Sequence, residues 1–146
     1  MKEDCIFCKI IKGEIPSSKV YEDEEILAFN DINPAAPIHV LVIPKKHITS
    51  LATMQDGDEK IISKIYKIIN EIAEKQGFKE NGYRVIVNCG KDGGQEVGHL
   101  HFHLLAGTQL GDSSESTRPT FRTAEAETEW KKAAKKEYRN AAFANN

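Results

Sequence analysis

The sequence predicts an α+β fold in which an antiparallel sheet of about five strands packs against one long helix. Short segments rich in alternating or β-branched apolar residues recur along the chain and are typical of strands. One longer segment carries isoleucines at helical spacing, at Ile61, Ile65, Ile68, Ile69 and Ile72. The length of 146 residues fits one domain with a single core.

The first predicted element is a short N-terminal helix over Cys5–Lys12, which Gly13 ends. Two short strands follow, at Lys19–Glu22 and Ile26–Phe29. The segment Asn30–Pro37 is predicted to be a loop, because its two prolines cannot join a regular strand ladder.

The next two elements are expected to form the centre of the domain. The β-branched segment Ile38–Ile43 predicts a central strand. The long helix is expected to begin after Asp56 or Asp58, either of which could cap it. It is expected to end near Gln76, because Gly77 follows.

Two further strands are predicted at Tyr83–Cys89 and His99–Leu105, joined through a glycine-rich loop. After residue 110 a serine-rich linker leads to an alanine-rich helix, Ala124–Ala142, which Thr123 could cap. We therefore divide the chain into a domain of residues 1–110 and a linker with a helical extension, residues 111–146.

The composition excludes several classes of protein. A formal net charge of −2 offers no electrostatic basis for binding nucleic acid or a membrane surface. No apolar segment approaches the roughly 20 residues that span a bilayer, so a cytoplasmic location is expected. The odd set of cysteines, Cys5, Cys8 and Cys89, argues against a disulfide framework. The pair Cys5-x-x-Cys8 is instead typical of half a metal site or a redox pair.

Three of the five histidines, His99, His101 and His103, alternate with apolar residues within His99–Leu105. A strand places such histidines on one face and the apolar residues on the other. Three interpretations follow: hydrogen-bonded histidines without chemistry, a metal centre of imidazoles, or covalent catalysis by one histidine. The preceding Gly93-Gly94 pair favours the third, because backbone amides of such a loop can bind an anion such as phosphate.

The segment His99–Leu105 matches the His-x-His-x-His-x-x signature, with x apolar, of the histidine triad superfamily. Other segments resemble its Hint branch, in the same order and at similar spacing: Cys5–Ile11, Phe29–Ile32, Pro37–His47 and Gly82–Asn88. The resemblance covers about residues 4–110 and leaves out the tail.

The resemblance implies a hydrolase of purine nucleoside 5′-phosphoramidates, with no catalytic cofactor. His101 would attack the α-phosphorus and form a nucleotidyl-histidine intermediate, which water then hydrolyses. His103 would contact phosphoryl oxygens and assist proton transfer to the leaving amine, and His99 and His39 would support the hydrogen-bond network. Two alternatives remain open: a dinucleoside polyphosphate hydrolase of the Fhit-like branch, and a nucleotide-binding module without activity.

The same resemblance assigns nucleotide-binding residues. Asp31 would bind the ribose hydroxyls, although from the residues alone it is equally a turn residue before Pro34. The other contacts, from the base pocket to the phosphate, are assigned to Ile6, Phe7, Ile10, Phe29, Asn30, Ile32, Asn88, Gln95 and Glu96. Glu96 departs from the family pattern, which often has serine there, and a carboxylate beside phosphate is repulsive, so its role stays open. The segment after Leu110 departs too, which leaves the leaving-group preference open.

The resemblance also implies a structural metal and a partner. Bacterial members with the Cys5-x-x-Cys8 pair bind zinc through two further histidines, whose counterparts here are His47 and His99. The alternative is a pair of reduced cysteines packed as small apolar residues. Members of the family pair two copies through the long helix and the region of Tyr83–Cys89, so a homodimer is expected.

Overall fold

The computed structural model describes residues 2–111 together with Thr128 and Lys132. Its elements in chain order are α1 (Ile6–Lys12), β1 (Lys19–Glu22), β2 (Ile26–Asn30), β3 (Ile38–Pro44), α2 (Glu59–Gln76), β4 (Arg84–Val87) and β5 (Phe102–Ala106). In this part of the chain, no helix combines the length and apolarity needed to cross a membrane. The predicted linker and the helix Ala124–Ala142 lie, apart from these few positions, outside the described residues.

The five strands form one antiparallel sheet in the order β1-β2-β3-β5-β4. The central strand is therefore β3, and its register with β5 places His39 opposite Leu105 and Leu41 opposite His103. The predicted α+β class, with an antiparallel sheet and one long helix, is confirmed.

The alternation of side chains in β3 and β5 divides the core between two faces of the sheet. Val40 and Val42 face α2 and pack with its isoleucines, in the same cluster as Leu100, Phe102 and Leu104. Residues of the other parity in β3, such as Leu41 and Ile43, pack instead with residues of α1. The histidines of β3 and β5 share this second parity, so they lie on the α1 side of the sheet.

Some predicted boundaries were wrong. The strand β5 begins at Phe102, so His99–His101 precede it, because the Leu100 N–H donates to Ile48 O instead of joining the ladder. The alternation of faces nevertheless extends back to Leu100, which is fully buried. Asp58 stands at the start of α2 but does not cap it, since its carboxylate accepts from Gln55 N–H and pairs with Lys46.

Candidate active site

A cavity of about 470 Å³ opens on the α1 side of the sheet. Its wall is largely apolar and its floor polar, which is typical of sites for small organic ligands. Its lining includes Ile6, Phe7 and Ile10 of α1, Phe29 and Leu41 of the sheet, Ile32, Val97, and the polar residues Asp31, His39, Asn88, Glu96, His101 and His103.

His101 is held in one orientation and one tautomer. Its Nδ1 lies 2.7 Å from the backbone oxygen of His99, and a carbonyl can only accept, so Nδ1 carries the proton. The Phe7 ring meets the imidazole edge-on, with centroids 5.2 Å apart. Among the described residues Nε2 has no hydrogen-bond partner. In the neutral ring, this nitrogen therefore holds a lone pair available for nucleophilic attack.

His103 also lines the cavity, and in its neutral form it carries its proton on the other ring nitrogen, Nε2. The Ala35 N–H donates to His39 Nδ1 at 2.9 Å, so the proton of neutral His39 lies on Nε2. That nitrogen is 3.0 Å from His103 Nδ1, which must then accept. The proton of neutral His103 consequently lies on Nε2, where it can be donated to a ligand.

Burial keeps the rings of His39 and His103 neutral. It lowers the pKa of His39, an effect that the carboxylate of Asp31 opposes. Burial, together with His39 and His101, lowers the pKa of His103 to about 4. With His39 and His103 neutral, the site presents the Nε2–H of His103 as a hydrogen-bond donor at neutral pH.

Asp31 forms a turn, as the residues alone predicted, and it also lines the cavity. Its Oδ1 accepts from Asn33 N–H at 2.8 Å, which makes an Asx turn after β2. Its Oδ2 lies 3.4 Å from His39 Nε2, and the residue lines the cavity. The turn thus holds the carboxylate at the edge of the pocket.

Two predicted contact residues do not line the cavity. Asn30 extends β2, and its amide donates to Ser18 Oγ. Gln95 ties down its own loop: it donates to the Thr49 and Val97 carbonyls and accepts from Gly90 N–H. The sequence reasoning also missed lining residues, including Leu41, Ile86 and Val97. Leu41 could have been found, because strand alternation places it on the same face as His39.

The four predicted metal ligands Cys5, Cys8, His47 and His99 lie together beside the cavity, with their ligand atoms all within 4.8 Å of one another. The Nδ1 of His99 is 3.4 Å from Cys5 Sγ and 3.6 Å from Cys8 Sγ. The Nδ1 of His47 is 3.3 Å from Cys8 Sγ. Tetrahedral zinc with ordinary bond lengths separates a sulfur and a nitrogen ligand by about 3.5 Å, so the group fits such an ion.

The surroundings of His99 match those of a metal ligand. Its Nε2 lies 2.8 Å from Pro44 O and must donate to it, which leaves the Nδ1 lone pair on the side of the two sulfurs. Burial lowers the pKa of His99 to about 4, so the ring is neutral, as ligation requires. His99 therefore contacts the two cysteines through its side chain and orients His101 through its backbone carbonyl.

Comparison with known proteins assigns the family. The HIT domain model matches residues 12–110. The chain belongs to the HIT (histidine triad) family, and the fold agrees with this assignment. A histidine triad protein from Clostridium difficile has a solved structure that is 59% identical, with a TM-score of 0.75, covering 77% of this chain and 97% of that one.

Two further relatives bear on the site. A protein of Escherichia coli K12 named purine nucleoside phosphoramidase is 45% identical over 111 residues, which cover 76% of this chain and 93% of the relative. A zinc-bound histidine triad family protein from Mycobacterium smegmatis has a solved structure that is 30% identical, with a TM-score of 0.65, covering 94% of this chain and 97% of that one.

We predict that the free energy of unfolding decreases as the pH is lowered from about 7 to about 5. The unfolded chain takes up protons at the ordinary histidine pKa of about 6.5. Folded His39 and His103, whose pKa values burial lowers, take them up only at lower pH. The unfolded state therefore binds more protons in this window, so stability rises with pH there.

Denaturant titrations at the two pH values measure this effect as a lower midpoint at about pH 5 with an unchanged slope. The variant His103→Asn removes one of the two groups and should lose less stability over the same interval. An equal loss in wild type and variant would contradict the assignment to His103.

Proposed function

We propose that this protein hydrolyses purine nucleoside 5′-phosphoramidates through a nucleotidyl intermediate on His101. The observation that carries the proposal is the pair of tautomers that the hydrogen bonds of His101 and His103 impose in one cavity. His101 Nε2 offers a lone pair, and His103 Nε2 offers a proton. The name of the Escherichia coli relative supports the same activity.

In the first step His101 Nε2 attacks the α-phosphorus, and the P–N bond to the amine breaks. The leaving nitrogen gains a proton from solvent, and the Nε2–H of His103 assists by binding phosphoryl oxygen as the bond breaks. The His99 carbonyl, which accepts from His101 Nδ1, stabilises the positive charge that develops on the phosphorylated ring. Water then displaces His101 from phosphorus, loses a proton, and releases the nucleoside monophosphate.

The cavity offers each part of such a substrate a matching surface. The apolar wall formed by Ile6, Phe7, Ile10, Phe29 and Ile32 suits a purine ring, and Asp31 suits the ribose hydroxyls. Asn88 and Glu96 lie near the phosphate end in this proposal. Neither Asn30 nor Gln95 contacts the nucleotide in this arrangement, and both act by supporting the pocket.

The proposal predicts that His101→Ala lowers kcat/KM for an adenosine phosphoramidate by roughly 10³-fold or more, because the nucleophile is lost. Mass spectrometry of quenched wild-type reactions should show the nucleotidyl adduct, and the variant should show none. Affinity of the variant for adenosine monophosphate is the control for folding. Turnover near the wild-type rate would refute the assignment of the nucleophile.

The two alternatives predict different results with the same protein. Faster turnover of diadenosine polyphosphate than of adenosine phosphoramidate would identify a hydrolase of P–O–P bonds that uses the same nucleophile. Binding of adenosine monophosphate with no turnover of either substrate would identify a nucleotide-binding module.

We further propose that Cys5, Cys8, His47 and His99 hold a structural zinc ion. The ion would supply four bonds that join the start of α1 to the segment after β3 and the segment before β5, and it takes no part in the reaction. Support comes from the separations of the ligand atoms and from the zinc-bound relative. The free thiols of this group fit a reducing compartment such as the cytoplasm.

Protein purified without chelator should contain about one zinc per chain by elemental analysis. The variant Cys8→Ser should lose the ion and melt at a lower temperature, because α1 is no longer tied to the sheet. The matched variant Cys89→Ser, outside the group, should keep both the zinc content and the melting temperature. Well under one zinc per chain in the wild type would overturn the proposal.

We propose a homodimer on the basis of the position of β4 in the sheet. This strand stands at one edge of the sheet and pairs only with β5 among the described residues, and Tyr66 of the adjacent helix α2 is exposed. An unpaired edge beside an exposed aromatic side chain suits a second copy of the chain. Light scattering at micromolar concentration should give the mass of two chains, and a monomer would contradict the proposal.

A further inference from the structure

The two carboxylate oxygens of Asp31, which lines the cavity, have different contacts. Its Oδ1 is engaged by the Asn33 N–H, so the side chain is held in place by its own turn. Its Oδ2 lies 3.4 Å from His39 Nε2, and 20% of the side chain is exposed. A ligand hydroxyl that binds at Oδ2, the oxygen that the turn leaves without a hydrogen bond, shares that oxygen with His39.

The proton on His39 Nε2 consequently lies between two acceptors. One is His103 Nδ1 at 3.0 Å and the other is Asp31 Oδ2 at 3.4 Å. Of the titratable groups around His39, those facing it are Asp31 from the loop after β2 and His101 and His103 from β5 and its approach. The described residues that α1 contributes to the cavity are apolar. Glu96 also lines the cavity, but among the contacts of the described residues it has no hydrogen bond with His39.

We propose that Asp31 is a positioning residue for the His39–His103 pair as well as a ribose contact, so that one carboxylate couples the sugar to the phosphate end of the site. The ribose half of this coupling rests on the proposed function, whereas the contact with His39 stands on the geometry of the free protein. A sugar hydroxyl that donates to Oδ2 weakens its attraction for the His39 proton. That proton is then donated fully to His103 Nδ1, which makes the Nε2–H of His103 a stronger donor.

The first test needs neither substrate nor activity. NMR titration of the nucleotide-free protein measures the pKa values of the His39 and His103 rings in wild type and in Asp31→Asn, which keeps the turn acceptor. Loss of a negative charge in contact with His39 should lower the apparent pKa of the pair by about one unit or more. The exposed carboxylate variant Glu80→Gln should leave it unchanged. An unshifted pair in Asp31→Asn would overturn the inference even if the protein proves to be a phosphoramidase.

The second test compares an adenosine phosphoramidate with its 2′,3′-dideoxy analogue. In the wild type, removal of the hydroxyls should lower kcat as well as raise KM, because the donor at the phosphate is weakened. In Asp31→Asn the two substrates should have nearly equal kcat. A wild-type effect confined to KM would show that Asp31 only binds the sugar, and would contradict the coupling.

Discussion

The hydrogen bond from His101 Nδ1 to the carbonyl of His99 depends on how firmly His99 itself is held. The ring of His99 is fully buried, donates to Pro44 O at the end of β3, and meets the sulfurs of Cys5 and Cys8 on its other side. These contacts hold the carbonyl that sets the tautomer of His101. The Cys/His group and the Nε2 of His101 are thus joined through three consecutive residues.

Backbone groups on different elements set opposite tautomers in His101 and His39. A carbonyl faces Nδ1 of His101, whereas an N–H, that of Ala35, faces Nδ1 of His39. The proton of His101 is therefore held on Nδ1, whereas His39 donates from Nε2 to His103, whose own proton then lies on Nε2. Burial of His103 maintains this state, since protonation would require a charge in a poorly solvated position.

The fold and the residues that gather around the cavity could largely be predicted from the sequence. The fold follows from the periodicity of apolar residues, and the site follows from segments that resemble a known family. Alternation correctly assigned Leu100, Phe102 and Leu104 to the core. It could not show that β5 begins only at Phe102, because that depends on a bond from Leu100 N–H to a distant loop. The amide of Gln95 was likewise assigned to phosphate, whereas it bonds with the backbone of Gly90 and Val97 in its own loop and of the distant Thr49, which no residue pattern encodes.

The contact between Cys5 and His99 joins positions 94 residues apart, so it closes nearly the whole described chain into a loop. Such a closure is entropically costly and becomes favourable only after local elements have formed. The helix α1, which forms one wall of the cavity, is therefore tied to the approach of β5 by a contact that spans nearly the whole described chain.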